Sequence, residues 1–232
     1  MQTFLDAGLI LLGYILGSIP FGLIIVKLKT GKDIRGVESG RTGGTNAMRA
    51  AGFSAGLMTA ATDILKGAVA VWLARYFAPD NSWVHVFAGV GSILGHNYSI
   101  FLPEYDSSGK FIRLRGGAGG APTVGSAFGM WGWSLPIILL VGVIAFFGIG
   151  YASVTTMSVA FSAIIVFGVG AYYGYFPWAY VVFGVIAEIL LMWALRPNIV
   201  KLMNGTERGV SWRAKKDAAH KAEPADIEED ME

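Results

Sequence analysis

Apolar stretches close to twenty residues long recur along this chain, and no other feature limits its fold so strongly. A helix of about 20 residues crosses the hydrocarbon core of a bilayer. Inside that core every backbone polar group needs a partner within the protein, so helices and closed barrels are the only solutions. Seven stretches qualify, at 3–27, 55–77, 83–102, 119–134, 135–150, 155–175 and 177–195. The fourth and fifth are short enough to be tilted or partly re-entrant. FAPDNSW (77–83) reads as a turn from its Pro, Asp and Asn, and YFP (175–177) divides the last two stretches. Charged residues are 15% of the chain, against about 25% in a soluble domain. The expected fold is an all-α polytopic membrane helix bundle of about seven transmembrane helices.

Lysine and arginine set the orientation. Sixteen of the eighteen basic residues fall in three segments: Lys27 to Arg49, Lys110 to Arg115, and Arg196 to Lys221. Seven spans put all three segments on one face, and an even number would separate them. That face is expected to be cytoplasmic, with residues 28–54, 103–118 and 196–232 on it, the N-terminus outside and the C-terminus inside. The N-terminus has neither a basic region nor a small-residue cleavage site and reads as an uncleaved first span. Residues 1–212 are expected to form the membrane domain. Residues 213–232, ending in EPADIEEDME, read as a charged, solvated tail with no catalytic role.

The chain has no cysteine, which excludes disulfides, thiolate nucleophiles and thiolate metal sites. No two of its three histidines, His85, His96 and His220, have metal-ligand spacing. The reading therefore calls for no metal, no cofactor and no nucleic acid, and it sets no oligomeric state. Of the 32 glycines most are expected to serve helix packing, as in GFSAG, GSILG and GAYYG.

Four polar patches fall at or near the basic face. In SGRTGGTNAMR (39–49), Gly40, Gly43 and Gly44 allow backbone N–H groups to turn toward a ligand, Ser39, Thr42, Thr45 and Asn46 add hydrogen bonds, and Arg35, Arg41 and Arg49 add charge. Those groups suit an anion, particularly a phosphate; a basic flexible loop that obeys the positive-inside rule accounts for them too. In RLRGGAGGAPTVG (113–125), two arginines precede a glycine-rich turn at a helix start, another anion-binding pattern that a plain tight turn would also explain. Asp63 and Lys66 share a helix face inside a span, as a packing pair or a functional one, and His96 lies at the same end of the third span. RPNIVKLMNGTERG (196–209) follows the last span, where a short interfacial helix ended by Asn-Gly-Thr-Glu is the plainest reading. Glu188, inside the seventh span, has no assigned part.

The ordered set GSIPFG (17–22), S-G-x-x-G-x-T-N (39–46) followed by Arg49, D-x-x-K-G (63–67), GH (95–96), GGxG (116–119) and N-I-x-K-L-x-x-G-T-E (198–207) resembles the bacterial membrane-integral acyl-phosphate:glycerol-3-phosphate acyltransferases. The resemblance implies seven spans in the inner membrane and an active site at the cytoplasmic face. It implies acyl transfer from acyl phosphate to the 1-hydroxyl of glycerol 3-phosphate, giving lysophosphatidic acid, the first acylation of phospholipid synthesis. Glycerol 3-phosphate, acyl phosphate and membrane lipid are the implied partners. Ser39, Arg49, Lys66 and Asn198 are the implied catalytic residues. Gly40, Gly43, Thr45, Asn46, His96, Arg115, Gly116, Gly117, Gly119 and Glu207 are the implied substrate and phosphate contacts.

The sequence also departs from the family pattern. Ala118 stands where the family's second motif, G-G-K-G, has lysine, Arg41 where the first motif has asparagine, GYASVTT lacks the arginine with which the third motif begins, and 103–115 is long. Arg41, Arg113 or Arg115 is then needed to replace the missing charge, and Arg115 is the expected one. A divergent non-catalytic lipid-binding paralogue and a transporter of a small anion are the other two readings. Polar motifs concentrated on one face argue against transport, whose sites lie nearer the bilayer midplane.

Overall fold

The computed structural model describes residues 2–210 and 213. The expected tail therefore lies outside the described residues, apart from Arg213, whose guanidinium sits 4.5 Å from the centre of the Tyr151 ring and donates to the Ile149 carbonyl at 2.6 Å.

The helices are α1 (Gln2–Ser18), α2 (Phe21–Thr30), α3 (Gly44–Ala51), α4 (Phe53–Phe77), α5 (Ser82–Asn97), α6 (Gly120–Met130), α7 (Ser134–Ile144), α8 (Ala152–Tyr172) and α9 (Ala179–Met203). All seven expected stretches are helical, with four differences. The first is broken at Ile19-Pro20, because proline lacks the N–H a continuous helix needs there. The third stops at Asn97, short of 102. α7 ends in a π turn, Ala145–Ile149. α9 runs through 198–203 instead of yielding a separate interfacial helix. Four stretches, Gln2–Thr30, Phe53–Phe77, Ala152–Tyr172 and Ala179–Met203, are long and apolar enough to cross a membrane. Two elements were not expected: α3, within the 28–54 segment read as a loop, and a hairpin. Segment 103–115 folds as an antiparallel hairpin, β1 (Pro103–Tyr105) with β2 (Phe111–Leu114), pairing Glu104 with Arg113 and irregular next to Tyr105.

The bundle closes through small residues. The backbones of α1 and α5 approach so closely that a Cβ on Gly95 would overlap the Tyr14 carbonyl, and one on Gly13 the Ala88 carbonyl. Such contacts are how membrane helices associate without a hydrophobic driving force between them. Phe167, Phe183, Ile93, Ile138 and Leu191 are fully buried at the centre. Away from the loop-rich end, Arg75 donates to the Gly129 and Met130 carbonyls, placing a cation where the last carbonyls of α6 lack helical partners.

Pro197 sits inside α9 and leaves the Trp193 carbonyl without its helical donor. The neighbouring Arg196 supplies one through Nε at 2.9 Å, and its guanidinium lies 3.4 Å from the Trp193 ring centre. The next carbonyl, Ala194, accepts from Arg41 Nη2 at 2.5 Å. That contact ties the 31–43 loop to α9.

Candidate active site

The loop-rich end of the bundle holds a cavity of about 630 Å³. Helix interiors supply its apolar wall, with Leu57 and Ile64 on α4, Leu139 and Val143 on α7, and Phe146 and Phe147 on the π turn. Loops and helix ends supply its polar wall.

Three helices begin at this wall. Gly44 and Thr45 open α3, Gly120 and Ala121 open α6, and Ala152 and Ser153 open α8, and all six residues line the cavity. The first N–H groups of a helix have no partner within it, and the helix dipole adds partial positive charge there. Gly119 caps α6 at φ +92°, a conformation glycine adopts without strain. Arg41, Arg49, Lys201 and Arg208 line the same cavity. Burial disfavours the charged form of both Arg41 and Arg49, and Arg208 adds to the effect at Arg49. An anion entering the cavity would relieve both.

Several side chains hold the wall in shape. Asn46 Nδ2 lies within 2.8–3.3 Å of the Ile34, Val37 and Arg41 carbonyls, fastening the 34–41 loop to α3. Glu207 accepts from Ser153 Oγ at 2.6 Å and from Asn198 Nδ2 at 3.0 Å, joining α8 to α9. At the mouth Glu38 pairs with Arg208, whose guanidinium holds the Glu38 carboxyl below the usual carboxylate range.

The expected site residues divide into two groups. Ser39, Gly43, Thr45, Asn46, Arg49, His96, Gly119, Asn198 and Glu207 all line the cavity. Gly40, Lys66, Arg115, Gly116 and Gly117 do not. Lys66 is 4% exposed and sits behind His96, 2.7 Å from Asp63 Oδ1, 3.0 Å from His96 Nδ1 and 2.9 Å from the Ile19 carbonyl. An ion pair, a backbone carbonyl and the His96 ring thus surround its ammonium behind the cavity wall, where it ties α4 to α5. Arg115 turns the other way, to Glu104 at 3.2 Å and the Gly40 carbonyl at 3.2 Å, in a separate surface pocket with Asp33 and Arg35. Gly40 is packed against that guanidinium, Gly116 against the His96 and Asn97 carbonyls, and Gly117 against the His96 ring. Ala118 does face the cavity, but the cation lining it from the neighbouring loop is Arg41, not Arg115. Sequence reasoning left Ser153 out. Its signal was the serine of the GYASVTT segment, set aside because that segment lacks an arginine.

The family model described as glycerol-3-phosphate acyltransferase matches residues 7–205. The chain belongs to that family. It is 34% identical over 205 residues to the glycerol-3-phosphate acyltransferase of Halalkalibacterium halodurans, covering 86% of this chain and 92% of that one. Its likeness to the Thermus thermophilus glycerol-3-phosphate acyltransferase is 34% over 209 residues, covering 88% and 95%. Among solved structures it matches PlsY (YgiH), an integral membrane glycerol 3-phosphate acyltransferase, in its glycerol 3-phosphate form, with a TM-score of 0.75, 31% identity, and coverage of 88% and 94%. The lysophosphatidic acid form of PlsY matches with a TM-score of 0.73 at 30% identity. The chain is thus an integral membrane acyltransferase-family protein, and the cavity described above lies almost wholly within the matched residues.

Proposed function

We propose that this protein transfers a fatty acyl group from acyl phosphate to the 1-hydroxyl of glycerol 3-phosphate, releasing lysophosphatidic acid and inorganic phosphate. The observation that carries this reading is one cavity with two characters. Three helix N-termini and four cations stand on its polar side, and α4, α7 and the π turn form an apolar wall. Two phosphate-bearing substrates, one with a lipid chain, need both characters at once.

Acyl phosphate is a mixed anhydride and arrives activated. The site then needs to hold the acceptor hydroxyl against the carbonyl carbon and stabilise the charge that grows on the carbonyl oxygen. Arg49 and Arg41 hold phosphate, Arg41 in place of the lysine missing at 118. Thr45, Asn198 and the first N–H groups of α3, α6 and α8 supply hydrogen bonds. Glu207 positions Asn198 and Ser153. A substrate phosphate oxygen takes the hydroxyl proton as the new ester bond forms and the acyl–phosphate bond breaks.

In the same reading seven helical segments cross the inner membrane, the N-terminus is outside, residues 1–212 form the enzyme with 213–232 as its tail, and the cavity opens to the cytoplasm. The chain is naturally free of cysteine, so single cysteines report topology cleanly. An impermeant reagent should label position 114 only after the cells are opened; labelling of intact cells would reverse the orientation. For activity, purified protein with acyl phosphate and labelled glycerol 3-phosphate should yield lysophosphatidic acid, whereas acyl-CoA should not serve as donor. No product from either donor would leave a binding role instead of an enzymatic one.

A further inference from the structure

His96 is 5% exposed, lies at the end of α5, and is the one histidine among the described residues that lines the cavity. Its ring is held from behind. Lys66 Nζ stands 3.0 Å from Nδ1 while also contacting Asp63 Oδ1 and the Ile19 carbonyl. An ammonium donates and cannot accept. Asp63 Oδ1 lies farther from Nδ1, at 3.6 Å, so the nearer ammonium favours Nδ1 as the accepting nitrogen and leaves the ring hydrogen on Nε2. That nitrogen lies at the opposite edge of the ring. Gly117 is packed against it, and a Cβ on Gly43, another cavity residue, would stand 4.0 Å away. Among the described residues no hydrogen bond engages Nε2. Asp63 is 1% exposed and three residues before Lys66 on α4, and at 2.7 Å from Nζ it aims the ammonium at the ring.

We infer that Asp63 and Lys66 are positioning residues that fix His96 as its Nε2–H tautomer, and that this N–H is a neutral donor to a phosphate oxygen of bound substrate. Lys66 thus acts one residue removed from the ligand. The D-x-x-K-G and GH segments, 30 residues apart, form one device: a buried ion pair whose product is the orientation of a single proton. The second half of this inference rests on the reaction proposed above; the tautomer does not. Either the glycerol 3-phosphate or the acyl phosphate could supply the phosphate oxygen, and the kinetics below separate them.

The test combines spectroscopy and kinetics on the full chain in lipid nanodiscs. Nitrogen-15 spectra of histidine-labelled protein, with the His96 signals assigned by their loss in His96→Gln, should show a protonated Nε2 and an unprotonated Nδ1. A protonated Nδ1 would overturn the proposal whatever the activity. Glycerol 3-phosphate or inorganic phosphate should then shift the Nε2 resonance, and an unmoved resonance at saturating ligand would overturn the donor role. Lys66→Arg keeps a donor behind the ring and should keep the tautomer; Lys66→Met should mix the two forms. His96→Gln retains an amide N–H near the Nε2 position and His96→Asn does not reach it. Loss of a hydrogen bond to a charged group weakens an interaction by about tenfold to a hundredfold, so Asn should lie that far below Gln in kcat/KM. A rise confined to one substrate's KM identifies whose phosphate is held. Equal rates for Gln and Asn would count against the donor role. Wild-type protein that makes no product yet shows the Nε2–H form, responding to glycerol 3-phosphate, would count against the proposed reaction and for the His96 arrangement.

Discussion

Two glycine-rich segments, 39–49 and 113–120, look alike on paper, since each sets arginine beside glycine at a helix start. In the folded chain they differ. Most of the first segment stays together: Ser39, Arg41, Gly43, Thr45 and Arg49 line one cavity, while Gly40 packs against Arg115. The second is divided. Gly119 and Gly120 reach the cavity at the start of α6, while Arg113 and Arg115 turn to Glu104 on the hairpin. A cation serves a ligand in the cavity only where the fold turns it toward that cavity. Arg115 has a carboxylate and a carbonyl; Arg49 is half-buried among cavity residues and near a second cation, Arg208.

The sharpest way to break this contrast is Arg49→Ala. Loss of a charged hydrogen bond worth about 1.5–3 kcal/mol should lower kcat/KM for glycerol 3-phosphate by about tenfold to a hundredfold. Unchanged kinetics in folded protein would remove Arg49 from the site.

Next in size is Arg41→Ala. It removes a cavity cation and the donor to the Ala194 carbonyl, so a loss of about tenfold is expected. Ala118→Lys in that background should recover part of the loss, because position 118 faces the same cavity. If the lysine does nothing, the two positions do not share a ligand.

Arg115→Ala should change turnover by less than about threefold, while lowering stability by up to about 1 kcal/mol through its ties to Glu104 and Gly40. Thermal unfolding in detergent and the turnover assay read the two effects separately. A large activity loss at unchanged stability would return Arg115 to the site and erase the contrast.

The smallest effect concerns pH. Arg208 holds the Glu38 carboxyl below its usual range. A carboxylate depressed in the folded state stabilises above its unfolded pKa of about 4.3 and loses that contribution as pH falls through the folded value. The difference in thermal midpoint between wild type and Glu38→Gln should therefore be present at about pH 6 and shrink as the pH falls below about 4. The pair is exposed, so the difference should be small. A difference that grows on acidification would contradict the pairing.

Much of this protein was fixed by local order along the chain. Apolar length marked the helical segments, while the break at Ile19-Pro20 fell inside a stretch read as one span. Glycine with arginine, threonine and asparagine marked the cavity wall at 39–49, and the ordered motifs marked the family. These are readable because helix period, backbone freedom and charge belong to neighbouring residues. What the sequence could not fix was which polar groups remain available. Lys66 looked like a phosphate contact until Asp63, Ile19 and His96 were seen around its ammonium. Arg115 looked like the replacement for the lysine missing at 118 until the 103–114 hairpin brought Glu104 beside it. Ser153 gave no clear signal until Glu207, 54 residues later, closed on it. Each of those outcomes is a competition between a ligand and a partner distant in sequence, and only the packing of α4 on α5, of the hairpin on the first loop, and of α8 on α9 decides which partner arrives first.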